Sequence, residues 1–273
     1  MRKMHHNLPV VMAVSIGIAF GLGVDISIAK ETLVIAASPS LAIPLEALGR
    51  EFEAKRPDVL VQIFYDTGLA LRQTIAAMEN KMDQSYFGKG PIHLVAPGGD
   101  ELITRLQQKY YVLPGTAIPY ATEPLVLVVP ESLIEAPASF EELAKNSRLR
   151  VAVADPTLTV LGQKTIQLLH NLGIQDALKG RLDVAADARG VLDHLLSGNA
   201  DVGIVFGPDA VQESQRVRIA AVSPEKLYKP TVHSMAMERF CPDRALCEQF
   251  LTFVQTPEAQ SVLKHLGYGL PRK

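Results

Sequence analysis

The sequence predicts an α/β protein built of two similar units, each a mainly parallel sheet flanked by helices. Three observations carry this: strand-length apolar runs alternate with amphipathic stretches of helical period, the alternation restarts midway, and a segment of export type precedes both.

Arg2 and Lys3 precede the apolar run Leu8 to Val24, and Ser27-Ile28-Ala29 offers small residues at the positions a signal peptidase reads. The expectation is a signal peptide over 1–29, a mature chain starting at Lys30 and a periplasmic location. An uncleaved anchor is the alternative, but the run is short for a span and is broken by Pro9.

Beyond it, ETLVIAA is a buried-strand candidate, and AIPLEALGREFEAKRP places Leu45, Leu48 and Phe52 on one helix face, ending at Pro57. VLVQIFY supplies a second strand. GLALRQTIAAMEN, with Leu71, Ile75 and Met78 on one side, supplies the next helix, and IHLVA and DELITRLQQ follow. The second unit opens with PLVLVVP, from Pro124 to Pro130. It continues through LRVAVA, a helix from about Val160 to Leu172, LDVAA, ARGVLDHLLSG and ADVGIVF. RIAAVS, the strand candidate TVHSMAM and two helices, RALCEQFLTFVQ and PEAQSVLKHLG, close the chain.

After removal of 1–29 the chain carries only three more acids than bases. That argues against a nucleic-acid partner, which would need a basic face. Cys241 and Cys247 are the only cysteines. On one continuous helix they would point about 240° apart. Pro242, as a first helical residue, would let them meet, so a disulfide and two separate thiols both remain open.

Three segments place small or hydroxyl residues between a strand end and a helix start: SPSLAIPLEAL, DTGLALRQ and DPTLTVLGQ. First-turn amides lack internal acceptors and the helix dipole is positive there, so these segments can hold an anion without formal charge. The same residues also serve as ordinary N-caps. No Gly-x-Ser-x-Gly elbow, His-Glu-x-x-His pair or phosphate loop occurs, so an enzyme is not expected. Convergence of Asp66, His93 and Glu123 would instead support a secreted metal-binding protein or hydrolase. Taken alone, His93 reads as a satisfied strand histidine.

At this point the residues resemble a known family. AASPSLAIPLEALGREFE, GLALRQTI, EPLVLVVP, VAVADPTLTVLG, ADARGVLDHLLSGNADVGIVFGPDA and PEAQSVLKHLGYGLP occur in the order of periplasmic molybdate-binding proteins of ABC importers. The resemblance spans nearly the whole mature chain. It implies a type II periplasmic binding fold with two crossover strands, one lobe from 30–118 plus 229–273 and the other from 119–228. It further implies a monomer that binds a small oxyanion such as molybdate or tungstate and delivers it to a membrane permease, without cofactor or metal cation.

By position, Ser40 and Thr67 match the family's binding hydroxyls, and Leu161 and Ala188 fall where backbone amides are offered. Phe206 takes the place of a binding tyrosine. It lacks the hydroxyl, a loss on the order of 1 to 3 kcal/mol if nothing replaces it. Asp66 adds a carboxylate beside Thr67. Aimed at a ligand charge about 4 Å away, it would repel by roughly 4 kcal/mol at an effective dielectric near 20. As a helix cap it would not. Sulfate, phosphate or a small organic acid therefore stand as alternative ligands. The stretch 80–90 exceeds the family pattern and reads as a cover for the cleft mouth.

Overall fold

A computed structural model of the protein describes residues 30–66 and 91–271. Thr67, the helix expected over GLALRQTIAAMEN, the stretch 80–90 and the signal segment lie outside the described residues. Ten strands form two five-stranded sheets among the described residues.

The first sheet has the order β2-β1-β3-β10-β4, from Val59–Tyr65 (β2), Glu31–Ala37 (β1), Leu94–Ala96 (β3), Thr231–Met237 (β10) and Ile118–Glu123 (β4). The second has the order β7-β6-β8-β5-β9, from Leu182–Ala185 (β7), Val151–Ala154 (β6), Val202–Phe206 (β8), Leu125–Pro130 (β5) and Val217–Val222 (β9). In each sheet four strands run in one direction and one runs against them, β10 in the first and β5 in the second.

The sheets are therefore mainly parallel, as expected, each mixed by a single reversed strand. The reversed strands, β10 and β5, each belong to one of the two crossovers. The chain passes from β4 to β5 at Pro124 and returns from β9 to β10, so the two connections run side by side in opposite directions. Only antiparallel pairing fits an outgoing run laid beside a returning one. The sequence reading overlooked β4 because IPYATE has no apolar run and contains Pro119. As the edge strand of its sheet, β4 tolerates a residue without an amide hydrogen.

Leu33 to Ala37 of β1 are buried, as a parallel strand covered on both faces should be. Against this sheet lies α1 (Ala42–Lys55), which buries Leu45, Leu48 and Phe52 and stops two residues before Pro57. On its outer side Phe52 stacks edge-on with Phe250 of the helix Arg244–Phe253, ring centres 5.1 Å apart. Cys241 and Cys247 form a disulfide at the start of that helix.

The second sheet carries its own core, centred on Leu125, Leu127, Val153 and Ile204. Its helices begin at defined caps. Thr159 Oγ1 accepts the Gly162 amide at 2.9 Å and opens α4 (Val160–Asn171), while Asp187 accepts the Gly190 amide at 2.9 Å and opens α5 (Ala188–Leu196). A short helix, α6 (Gly207–Gln212), follows β8 directly. α2 (Asp100–Gln108) and α3 (Glu142–Lys145) are the remaining α-helices before it among the described residues. α7, the helix Arg244–Phe253 above, and α8 (Pro257–His265) end the chain.

Candidate functional site: a cleft between two sheets

A cleft of about 760 Å³ opens between the sheets, walled by strand ends and helix starts of both. This is where open α/β sheets place ligands, and the size suits a small molecule.

On the first-sheet side, the chain leaves β1 through Ser38, whose amide donates to the Ala96 carbonyl at 3.0 Å, and turns through Pro39–Leu41 into α1. The turn brings the Ser38 and Ser40 hydroxyls within 3.1 Å of each other at the cleft wall. Gly98, after β3, presses against the same turn. Its φ is +73°, and a Cβ there would stand 3.2 Å from Ser38 Cβ, so glycine is required by conformation and by space.

The neighbouring Gly99 donates its amide to His233 Nδ1 at 3.3 Å. On the other side of the ring, Nε2 lies 3.1 Å from Glu123 Oε1. Both residues belong to the crossover strands and face the cleft beside Tyr268 and Thr231.

On the second-sheet side, Val160 opens α4 at the cleft wall. The first turn of this helix is seated tightly on β6, since a Cβ on Gly162 would collide with the Ala154 carbonyl oxygen. Thr159 Oγ1 occupies the Gly162 amide, whereas the amides of Val160 and Leu161 precede any helix-internal acceptor. The upstream carboxylate of Asp155 is engaged locally. It accepts the Thr157 amide at 2.7 Å and hydroxyl at 2.6 Å, which keep it below the usual carboxylate range.

Phe206, the last residue of β8, and Asp209, in the first turn of α6, complete this wall. Burial first, and then the negative charge of Glu123, push the Asp209 carboxyl up to about 6, partly offset by a backbone hydrogen bond with Phe206. The Tyr268 hydroxyl is likewise held above its ordinary range by burial, then by Glu123 and Asp209.

Of the residues expected from the sequence, Ser40 and Phe206 meet in this cleft. Leu161 sits next to Val160 with its side chain buried in the second core. Ala188 starts α5, half-buried against that core, away from the cleft lining. Asp66 follows β2, where its amide donates to the Ala37 carbonyl at 3.0 Å, and it too stands outside the lining.

The polar trio Asp66, His93 and Glu123 does not converge. His93 is buried and accepts the Val34 amide through Nδ1 at 3.2 Å, while Glu123 faces the cleft with His233. Among the described residues no three His, Cys, Asp or Glu side chains group as metal ligands. Asp209, His233, Tyr268 and Gly98 were missed in the sequence. Asp209 and Tyr268 had a signal, because they lie within GIVFGPDA and PEAQSVLKHLGYGLP, two blocks of the resemblance.

A family model described as bacterial extracellular solute-binding protein matches residues 33–269. The chain belongs to that family. This solute-binding protein, which is not an enzyme, is 25% identical over 258 residues to the molybdate-binding protein ModA of Haemophilus influenzae, covering 93% of this chain and 94% of that one. It is 24% identical over 239 residues to the putative ABC transporter substrate-binding lipoprotein YvgL of Bacillus subtilis, covering 88% and 86% of the two chains.

Among solved structures, the substrate-binding domain of a putative molybdenum ABC transporter from Clostridium difficile superposes with a TM-score of 0.78 at 22% identity. The match covers 89% of this solute-binding protein and all of that chain. The periplasmic molybdate-binding protein of Azotobacter vinelandii gives a TM-score of 0.58 at 23% identity, covering 88% of this chain and all of the other. These likenesses show the fold, a type II periplasmic binding fold of two lobes.

Proposed function

We propose that this protein captures a small oxyanion between its lobes and delivers it to an ABC permease in the membrane. It acts as a periplasmic monomer after removal of residues 1–29. The observation that carries the reading is the pairing of Ser38 and Ser40 on one wall with the first turn of α4 on the other. Hydroxyls and first-turn amides are donors without formal charge, so they stabilise an anion while the chain stays near neutral. Molybdate or tungstate is the first candidate, and relatives named for molybdate binding support molybdate.

In this reading Ser40 donates its hydroxyl, Thr67 does the same from the next helix start, and Leu161 and Ala188 contribute amides as the lobes close. Phe206 offers a ring edge where a hydroxyl would add a donor. Sulfate, phosphate or a small organic acid is the second reading, opened by the missing hydroxyl at Phe206, and the carboxylates of Asp209 and Glu123 in the cleft favour those of them that carry a proton.

Calorimetric titration of residues 30–273 with molybdate, tungstate, sulfate, phosphate and small carboxylates tests the proposal. One of these anions is expected to bind with one-to-one stoichiometry, and Ser40→Ala should weaken it about tenfold, the effect of one lost donor. Silence from every anion at millimolar concentration would end the reading.

A further inference from the structure

The charged and titratable side chains among the described residues of the cleft lining are Glu123, Asp209, His233 and Tyr268. Two of these are carboxylates, which accept hydrogen bonds and repel negative charge. Glu123 sits immediately before Pro124, where the chain crosses between sheets, and Asp209 lies two residues beyond Gly207, which is packed against that same crossover.

Their partners leave acceptor capacity toward the cleft. Glu123 has one oxygen 3.1 Å from His233 Nε2, and Asp209, at the third position of α6, receives a backbone hydrogen bond from Phe206 in the manner of a capping box. A carboxylate offers about four lone-pair sites, so neither residue is saturated by these contacts. Beside them Thr231 Oγ1 is buried in the cleft wall with no hydrogen-bond partner among the described residues. This end of the cleft therefore presents acceptors and negative charge, while Ser38, Ser40 and the start of α4 present donors.

A bare tetrahedral dianion satisfies the donors and is repelled by the carboxylates. A ligand with an oxyanion head and its own donor satisfies both ends. We propose that Asp209 and Glu123 are specificity-determining residues that select an oxyanion bearing a hydrogen-bond donor or an ammonium group over a bare dianion. This rests on the oxyanion reading above and narrows its substrate class. The weakened acidity of Asp209 agrees with it, because a carboxyl buried beside a second carboxylate gains most from a donor or cation brought by the ligand.

The test compares sulfate and molybdate, which lack a donor at neutral pH, with phosphoethanolamine, which joins a phosphate to an ammonium. Each is titrated into residues 30–273 by calorimetry at pH 7. The wild-type protein should bind phosphoethanolamine at least about tenfold more tightly than sulfate or molybdate. Asp209→Asn and Glu123→Gln should each compress that ratio about tenfold, loosening phosphoethanolamine and tightening sulfate.

Equal or tighter binding of a bare dianion by the wild type overturns the selectivity proposal and leaves the oxyanion reading standing. So does a ratio unmoved in both variants. If no anion binds the wild type at all, the oxyanion reading falls and this proposal falls with it. The wild-type ratio needs no variant, so a folding defect in Glu123→Gln cannot obscure the outcome.

Discussion

Gly207 and Gly267 meet backbone to backbone where the two lobes join. A Cβ on Gly267 would lie 2.5 Å from the Gly207 carbonyl oxygen, and one on Gly207 would collide with the Gly267 carbonyl oxygen. Gly207 opens α6 of the second lobe and donates its amide to the Pro124 carbonyl at 2.8 Å. Gly267 follows α8 on the first, two residues before Gly269 exchanges hydrogen bonds with Thr122. The absence of side chains at this point lets the lobes approach beside the cleft, next to Asp209 and Tyr268.

Gly267→Ala is therefore expected to destabilise the protein by more than about 2 kcal/mol, combining left-handed strain at φ +85° with the collision. Gly198→Ala is the control. Its φ is +78°, but nothing lies within 4 Å of the added methyl, so it should cost only about 1 kcal/mol. Chemical denaturation of both variants measures the difference, and equal costs would remove any special role for the contact.

Phe206→Tyr should strengthen binding of the responding oxyanion by up to about tenfold, because it supplies one donor at the cleft wall. Titration calorimetry reads this directly. An unchanged affinity would mean that no ligand oxygen lies within reach of a hydroxyl at the tip of this ring.

Glu238 gives a pH dependence of defined sign. Buried at 2% exposure, its carboxyl is pushed up to about 7 by desolvation, partly offset by the Phe240 amide and then by Arg239. The folded state thus holds a proton that the unfolded state releases near 4.5. Stability from this group is fully present below about 4.5 and is lost as pH rises through about 7. Urea unfolding should show Glu238→Gln retaining, at pH 8, a share on the order of 3 kcal/mol that the wild type loses between pH 5 and 8. Parallel profiles for the two proteins would contradict it.

Arg181 holds the second lobe's lower edge by donating to four carbonyls, those of Leu143, Asn146, Leu149 and Ala177, at 2.8 to 3.0 Å. Arg181→Ala should cost about 3 kcal/mol in unfolding free energy. Arg181→Lys should recover only part of it, since an ammonium lacks the planar fork. Full recovery by lysine would show that charge, not geometry, is what the site needs.

These residues also mark what could be read without coordinates. β1 and β5 announced themselves as unbroken apolar runs, and α4 and α5 began at Thr159 and Asp187, because a cap and its amide partner are only three residues apart. Ser40 and Phe206 were reached through the resemblance, and both face the cleft. Glu123 and His233 are 110 positions apart in the chain, and only the side-by-side crossovers bring them together. Nothing local to either residue encodes that pairing. Asp209 looked like an ordinary first-turn acid, and its acidity depends on burial and on Glu123, which belongs to the other sheet. The single reversed strand of each sheet, β10 and β5, follows from the path of the whole chain and has no local signal.

The central claim is that uncharged donors from both lobes surround one small anion. A crystal structure of residues 30–273 with the anion that responds in titration addresses it most directly. The predicted result is an anion with oxygens within hydrogen-bonding distance of Ser40 Oγ and of the first-turn amides of α4 at Val160 and Leu161. An anion bound elsewhere on the protein, with Ser40 and the start of α4 facing only water, would contradict the account.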